Sequence, residues 1–200
     1  MDNATKNIYA IILAAGESSR FGSPKQLADW QEHNLLQHAI NTTQLLFDKH
    51  IIVVLGANAE LIQSRLDASK SNIETNNDWR SGISSSIRAG IKALPKDTEA
   101  AMILLCDQPL LEESSLKKLI DLWQQHRNFI VASEYQDTVG VPAIFPAAFF
   151  SQLEALQGDK GAKQLLISMK EHVLTISVPE ASIDIDTQND FNNLKMQFNI

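Results

Sequence analysis

Short apolar runs rich in β-branched residues alternate along this chain with segments of helical periodicity. The pattern predicts strands over 8–13, 51–55, 100–105, 129–133, 142–145 and 173–178, with a weaker strand at 72–75. It predicts helices over 34–48, 59–67, 84–94, 113–126, 147–156, 161–170 and 188–198. Such alternation is typical of βα units around a mostly parallel sheet. With 200 residues, of which 44% are hydrophobic, we expect one α/β domain over residues 1–200.

Charge and composition exclude several classes of protein. A net charge of −7 without a lysine- or arginine-rich run argues against nucleic acid as a partner. Without a long apolar run or a signal-peptide pattern, we expect a cytoplasmic protein with no membrane partner. The single cysteine, Cys106, excludes an internal disulfide or a thiolate zinc cluster. Because it ends an apolar strand, a buried and unreactive thiol is expected, and the five histidines show no metal-binding spacing.

The strand at 8–13 runs into a loop that combines small residues with two cations. Gly16 and the alanines before it keep side chains away from the backbone, so that backbone amides can face a bound anion. Arg20 and Lys25 add two positive charges suited to a polyphosphate. A simple strand-to-loop turn with solvated cations is the alternative. The spacing fits neither the Walker loop nor the dinucleotide-binding fingerprint.

Two further segments place carboxylates where a cation would be useful. Asp107 follows the strand at 100–105, and ligands of open α/β sheets lie beyond the carboxyl ends of strands. There it suits Mg²⁺, although Asp-Gln-Pro is also an ordinary turn sequence. Alternation puts Asp184 and Asp186 on one side of a strand and their isoleucine neighbours on the other. Alternatively, Asp186 or Thr187 only caps the last helix.

Local patterns also give structural predictions for four other segments. Ser84 and Ser85 start a helix, where free amides and the positive dipole end would face a ligand, although a plain serine cap explains them equally well. Thr187 and the aspartate three residues later predict a capping box. Prolines at 142 and 146 bracket a short strand, which predicts an edge strand or an antiparallel one. Asp159 fits the N-cap of a helix, which explains this residue as well as a ligand-binding role would.

Taken together, five segments resemble nucleotidyltransferases with a GT-A-like fold, and in particular the molybdenum cofactor cytidylyltransferase family. The matching strings are Leu-Ala-Ala-Gly-x-Ser-x-Arg-x-Gly-x-Pro-Lys at 13–25, Asn-x-x-Trp-x-x-Gly-x-x-x-Ser-x-x-x-Gly at 76–90, Asp-Gln-Pro at 107–109, Gly-Asp-x-Gly-Ala at 158–162 and Asp-Ile-Asp-Thr at 184–187. The resemblance implies a three-layer α/β/α, Rossmann-like arrangement with a mostly parallel central sheet. The chain departs from the family at Lys163, where arginine is usual, and at Gln188 and Asn189, where proline and glutamate are usual.

The resemblance also implies a reaction and a set of site residues. The reaction is transfer of CMP from CTP to the terminal phosphate of molybdopterin, with release of pyrophosphate and with Mg²⁺ as cofactor. Lys25, Arg20 and Asp107 would be catalytic, and Asp107 and Asp186 would bind the metal. The implied nucleotide-binding residues are Leu13, Ala14, Ala15, Gly16, Arg20, Lys25, Asn76, Gly82, Ser86 and Asp107. The implied acceptor-binding residues are Gly140, Pro142, Asp159, Gly161 and Lys163.

Several alternatives remain open at this point. Relatives that transfer GMP carry glycine where this chain has Ala15, which favours CTP over GTP. A guanylyltransferase, or a cytidylyltransferase for another phosphate-bearing acceptor, remains possible. A glycosyltransferase would need Asp-x-Asp at 107–109, where Asp-Gln-Pro stands. A non-enzymatic cofactor carrier is the remaining class, and a recipient molybdoenzyme or its chaperone would be a further partner.

Overall fold

Seven strands form a central sheet within the part of the chain that the computed structural model describes, residues 7–69 and 71–198. In chain order, the strands of the sheet and of a separate hairpin are β1 (Ile8–Ala14), β2 (Asp29–Trp30), β3 (His33–Asn34), β4 (Ile51–Leu55), β5 (Asn72–Thr75), β6 (Ala100–Leu105), β7 (Ile130–Tyr135), β8 (Thr138–Pro146) and β9 (Val173–Ser177). The helices are α1 (Leu35–Phe47), α2 (Ala59–Gln63), α3 (Ile83–Lys92), α4 (Glu113–Gln125), α5 (Phe150–Glu154), α6 (Ala162–Ser168) and α7 (Gln188–Phe198). Strands β2 and β3 form a separate small hairpin, which the sequence pattern did not predict.

The sheet is mostly parallel, as the alternation predicts. Its strand order is β5-β4-β1-β6-β8-β7-β9. Strand β1 pairs in parallel with β4 and with β6, so the carboxyl ends of these three strands lie at the same edge. Strand β8 pairs antiparallel with both β6 and β7. The loops that follow β1 and β6 therefore emerge side by side.

Strand β8 is antiparallel, as predicted, but it is not an edge strand and it is longer than expected. It lies between β6 and β7 and runs from Thr138 to Pro146. A register shift after Ala132 leaves Pro142 at a bulge, where no ladder hydrogen bond from its nitrogen is needed. The hydroxyl of Ser133 donates a 2.7 Å hydrogen bond to the Pro142 carbonyl. This bulge is why an interior strand tolerates the proline.

Helices cover both faces of the sheet. Helices α1 and α4 pack on one face, where Ile12 and the other even-numbered core residues of β1 point. Helices α3, α5 and α6 pack on the opposite face with Ile11 and Leu13. Because strand side chains alternate between faces, β1 contributes to both cores. The result is the three-layer α/β/α arrangement. None of the helices within the described residues is long and apolar enough to cross a membrane.

Helix α2 is shorter than the predicted 59–67, because the chain after Gln63 turns to meet α1. The Gln37 side chain accepts a 2.8 Å hydrogen bond from the Asp67 amide and donates a 3.4 Å bond to its carbonyl. The Asp67 backbone is therefore bonded to a side chain of α1 and does not continue the helical pattern.

A third apolar cluster ties the carboxyl-terminal part of the chain to the loop after β1. Phe21, Trp30 and Leu35 contact Ile185 from the segment before α7, together with two residues of α7. Ile185 is 1% exposed. This packing carries the acidic segment at 184–186 across the molecule to the loop that bears Arg20 and Lys25.

Candidate nucleotide and metal site

A buried glutamine fixes the loop that follows β1. Gln26 is 1% exposed, and its Nε2 donates 2.9 Å hydrogen bonds to the carbonyl oxygens of Ala14 and Gly16. These bonds connect the two ends of the loop, so that Lys25 lies beside the carboxyl end of β1. Sequence analysis missed Gln26. Its partners are backbone carbonyls, which no side-chain pattern reveals.

Lys25 joins the two carboxylates that the sequence proposed as metal ligands. Its Nζ forms a short ion pair with Oδ2 of Asp107 and lies 3.6 Å from Oδ1 of Asp186. It also donates a 3.0 Å hydrogen bond to the Ile185 carbonyl oxygen. Arg20 Nη1 lies 3.1 Å from the other oxygen of Asp186. The cations and carboxylates from three distant segments thus form one cluster.

The Lys25 ammonium is firmly charged in this setting. Burial works to lower its pKa, but the charge of Asp107 and the hydrogen bond to it outweigh burial, and the pKa is raised. Both side chains of this pair are mostly buried, at 13% and 14% exposure. In contrast, the Arg20 side chain is 71% exposed, so its pair with Asp186 is more strongly screened by solvent.

The segment at 183–186 corrects one prediction. It forms no strand, because the Ile185 amide donates a 2.9 Å hydrogen bond to the Asp107 carbonyl and not to a neighbouring strand. Ile183 is exposed whereas Ile185 is buried, so the two isoleucines do not share a buried face. Asp186 contacts Lys25, while Asp184 lines a second cavity. The predicted capping box is confirmed, since Thr187 and Asp190 exchange hydrogen bonds of 2.8 and 3.1 Å.

The carboxyl group of Asp184 has a higher pKa than that of an ordinary aspartate. Part of its surface faces solvent, yet desolvation of the carboxyl group raises its pKa to about 6, and the negative charge of Asp107 adds to this effect. A hydrogen bond from Gln108 and the charge of Lys25 oppose the rise without cancelling it. Negative charge is therefore costly to accumulate at this point of the site.

A cavity of about 400 Å³ opens beside the Lys25 cluster, a size suited to a small-molecule ligand. We call it the nucleotide cavity, after the sequence prediction for the residues that line it. The predicted nucleotide-binding residues that line it are Leu13, Ala14, Ala15, Gly16, Lys25, Gly82, Ser86 and Asp107. Trp79 and Arg80 form part of its wall, with the Arg80 guanidinium 4.3 Å from the centre of the Trp79 ring.

Two predicted nucleotide-binding residues lie outside the lining of this cavity. Arg20 is exposed at the outer side of Asp186. Asn76 is buried behind the wall, where its Nδ2 donates hydrogen bonds of 2.8 Å to Ser85 Oγ and 3.1 Å to Ser86 Oγ. It therefore orients Ser86, which does line the cavity. The binding roles of both residues stay predictions.

The start of α3 differs from the expected row of free amides. The Ser84 amide donates a 3.2 Å hydrogen bond to the Gly158 carbonyl, and the Ser85 amide donates to Gly82. Both serine side chains are buried. The helix start is thus tied to the 158–163 segment, and Asp159 of that segment lines the nucleotide cavity. Asp159 was predicted to face the acceptor, and that role stays a prediction.

A second cavity of about 360 Å³ adjoins the first, and we call it the acceptor cavity. The two cavities share Leu13, Ile83 and Leu105 in their walls. Three predicted acceptor-binding residues line it, namely Gly140, Gly161 and Lys163. Pro142 lines neither cavity. Tyr135, which sequence analysis did not single out, also lines the acceptor cavity and lies against Gly140.

The donors at the Lys25 cluster fit a hard divalent cation. Oδ1 of Asp107 is buried and has no hydrogen-bond partner among the described residues. Carboxylate oxygens of this kind suit Mg²⁺ or Mn²⁺, which complete their coordination with water and substrate phosphates. Within residues 7–69 and 71–198, no three His, Cys, Asp or Glu side chains converge as metal ligands. A cation here would therefore depend on ligands from a bound phosphate as well.

Cys106 stands beside this cluster but takes no part in it. Burial raises the pKa of its thiol to about 12, and the charge of Asp107 adds to the rise. The residue is 4% exposed. The prediction of a buried cysteine is confirmed, and its high pKa makes it a poor nucleophile and metal ligand.

Comparison with known proteins places this arrangement in a family. The profile of the MobA-like NTP transferase domain matches residues 10–173. The chain belongs to this family. The resemblance inferred from the five sequence motifs is therefore confirmed at the level of the family.

Full-length relatives agree with this assignment. The molybdenum cofactor cytidylyltransferase of Escherichia coli (strain K12) is 27% identical over 96% of this chain and 97% of that protein. Nicotine blue oxidoreductase of Paenarthrobacter nicotinovorans is also 27% identical, over 90% of this chain and 92% of that protein. The structure of Rv0371c from Mycobacterium tuberculosis in complex with manganese has a TM-score of 0.80 and 27% identity, covering 94% of this chain and 98% of that one. The predicted α/β fold class, with a GT-A-like nucleotidyltransferase arrangement, is confirmed.

Proposed function

We propose that the protein is a cation-dependent cytidylyltransferase that transfers CMP from CTP to the terminal phosphate of molybdopterin and releases pyrophosphate. The observation that carries this proposal is the Lys25–Asp107–Asp186 cluster at the edge of the nucleotide cavity. Membership of the MobA-like NTP transferase family supports nucleotidyl transfer. The E. coli relative supports this choice of substrates.

The residues of the cluster suit the demands of nucleotidyl transfer. Such a reaction needs alignment of the attacking oxygen with the α-phosphorus and neutralisation of the charge that develops on pyrophosphate. Lys25 would turn from the carboxylates to the phosphates, and Arg20, whose side chain is exposed, would add a second cation from the solvent side. Asp107 and Asp186 would hold Mg²⁺, which supplies Lewis-acid polarisation of phosphate oxygens when bound.

The two neighbouring cavities suit two substrates that meet end to end. The nucleotide would occupy the cavity between the loop after β1 and the start of α3, with Ser86 and Gly82 near the base. The acceptor would occupy the adjoining cavity, with its phosphate directed toward the shared wall and with Lys163 at its rim. Leu13, Ile83 and Leu105, which line both cavities, would limit access of water to the point of transfer.

Ala15 supports cytosine as the base. The residue is 5% exposed, and it lies in the wall of the nucleotide cavity close to Gly56 and Trp79. The methyl group takes up volume that a glycine would leave to a larger purine. GTP remains the alternative nucleotide, and another phosphate-bearing compound remains the alternative acceptor.

The test is incubation with each of the four NTPs, Mg²⁺ and molybdopterin, with pyrophosphate release and product mass as readouts. We expect a CMP adduct from CTP alone. Asp107→Asn and Lys25→Met should reduce turnover by about a hundredfold or more while the protein stays folded. Asp121→Asn is the matched control, because Asp121 is an exposed carboxylate of α4. Turnover close to wild type in both cluster variants would refute the proposal.

An oxidoreductase is the second candidate, since a relative with that activity in its name is equally similar in sequence. Paired carboxylates around a lysine favour the transferase, because hydride transfer has no need of a phosphate-neutralising cluster. Oxidation of a reduced nicotinamide nucleotide without pyrophosphate release would favour the oxidoreductase. Binding of CTP and molybdopterin with neither reaction would indicate a carrier.

A further inference from the structure

The ammonium group of Lys25 occupies a position that is built like a cation site. Three oxygen atoms from the protein surround it: a carboxylate oxygen of Asp107, a carboxylate oxygen of Asp186 at 3.6 Å and the carbonyl oxygen of Ile185 at 3.0 Å. Hard divalent cations take the same kinds of ligand. The side chains of Lys25 and Asp107 are 13% and 14% exposed, so solvent does little to weaken the contact between them, whereas the Asp186 side chain is 43% exposed and its contact is more screened.

We propose that the Lys25 ammonium acts as a resident cation that excludes a free divalent metal until a nucleotide phosphate draws it away. The inference rests on the proposed function, since it concerns the order in which that site takes up its ligands. A metal that enters the nucleotide-free protein must displace Lys25, which then loses its anionic partners in a poorly solvated place. A triphosphate offers Lys25 a new anionic partner, so metal and nucleotide bind together.

The fold fixes the two backbone segments that hold Lys25, and this makes the exclusion of a divalent metal effective. The Ile185 amide is bonded to the Asp107 carbonyl at 2.9 Å, so the two acidic segments are tied directly to each other. The Ile185 side chain is buried among Phe21 and Trp30. The backbones that carry the two carboxylates therefore have little freedom to separate and admit a metal beside the lysine. Exchange of one cation for the other is the remaining route.

The test measures Mn²⁺ binding to the nucleotide-free protein through loss of the electron paramagnetic resonance signal of free Mn²⁺. We expect Lys25→Met to bind Mn²⁺ about tenfold more tightly than wild type, or better, because the resident cation is gone. Arg20→Met is the matched control. It removes one positive charge from the same loop, and from a partner of Asp186, but Arg20 does not contact Asp107. Its Mn²⁺ affinity should rise much less.

Two results would overturn the inference: equal Mn²⁺ affinity for wild type and Lys25→Met, or an equal rise in Lys25→Met and Arg20→Met. The second result would mean that net charge alone sets metal affinity. Cooperative thermal unfolding verifies that each variant is folded. Lys25→Gln, which keeps a polar side chain but no charge, takes the place of Lys25→Met if that variant does not fold.

The outcome is separable from that of the proposed function. Tighter Mn²⁺ binding by Lys25→Met, together with wild-type protein that releases no pyrophosphate, would support the resident cation and refute the transferase. Pyrophosphate release by wild type, with no change in Mn²⁺ affinity in the variant, would do the reverse.

Discussion

Replacing Gly82 by alanine tests how the two halves of the nucleotide cavity are joined. Gly82 has φ 92° and ψ 175°, a region of backbone conformation that is nearly exclusive to glycine. A methyl group on its Cα would overlap the carbonyl carbon and oxygen of Gly158 and would lie 2.6 Å from Oδ1 of Asp159. The overlap is with backbone, which cannot turn aside as a flexible side chain would.

The expected loss of stability follows from the backbone strain and the overlap, less a small gain from the unfolded state. Holding alanine in this backbone region costs about 1–3 kcal/mol. Overpacking against a fixed neighbour costs a further 1–3 kcal/mol or so. The loss of chain entropy in the unfolded state returns about 0.4–1 kcal/mol. We therefore expect Gly82→Ala to lower the free energy of unfolding by about 2–5 kcal/mol.

Urea unfolding followed by circular dichroism measures this loss, with Gly158→Ala as the matched control. Gly158 also has a positive φ, of 62°, but a methyl group there would meet no atom within 4 Å. The control therefore carries backbone strain without overlap, and we expect it to cost about 1–2 kcal/mol. Equal losses in the two variants would refute the claim that Gly158 approaches Gly82 too closely to leave room for a side chain. A Gly82→Ala protein as stable as wild type would refute both terms.

Two further predictions concern buried side chains beside the site. Burial raises the pKa of the Cys106 thiol to about 12. The folded protein should therefore resist a thiol reagent at about pH 8 and react with it only on unfolding. Rapid stoichiometric labelling without denaturant would contradict this prediction. Asn76→Ala should cost about 1–3 kcal/mol in urea unfolding, because it leaves Ser85 and Ser86 without their donor. The exposed Asn193→Ala is the control, expected to change stability by less than about 0.5 kcal/mol, and equal losses would show that the Asn76 bonds add nothing.

Elements whose patterning is local were predictable from the sequence. In α4, the four residues Leu116, Leu119, Ile120 and Trp123 recur at three- and four-residue steps, and all of them are buried as expected. The capping box of α7 is equally local, since both partners lie within one helical turn. In such cases the residues that determine the structure are the same residues that form the pattern.

Features that depend on distant partners were not predictable in the same way. Pro142 indicated an edge strand or an antiparallel one; the strand is antiparallel, but only the bulge opposite Ser133 explains how the proline fits between two neighbours. Asp159 lines the nucleotide cavity because the bond between Gly158 and the start of α3 holds its segment there, and no local pattern indicates that bond. Gln26 carried no signal at all, because its partners are main-chain oxygens. Each of these outcomes requires the tertiary fold.

Asp186 illustrates why the residues of the site were easier to predict from the sequence than their arrangement in space. Ile185 performs three tasks at once: its side chain packs into the apolar cluster, its amide bonds to Asp107 and its carbonyl accepts from Lys25. Sequence alternation treats this residue only as the buried neighbour of two aspartates. Yet its main chain is what brings Asp186 to Lys25, since nothing in a lone Asp-Ile-Asp string fixes a position opposite the loop after β1. The chemistry of the site is therefore set by charged side chains, whereas its geometry is set by the backbone of an apolar one.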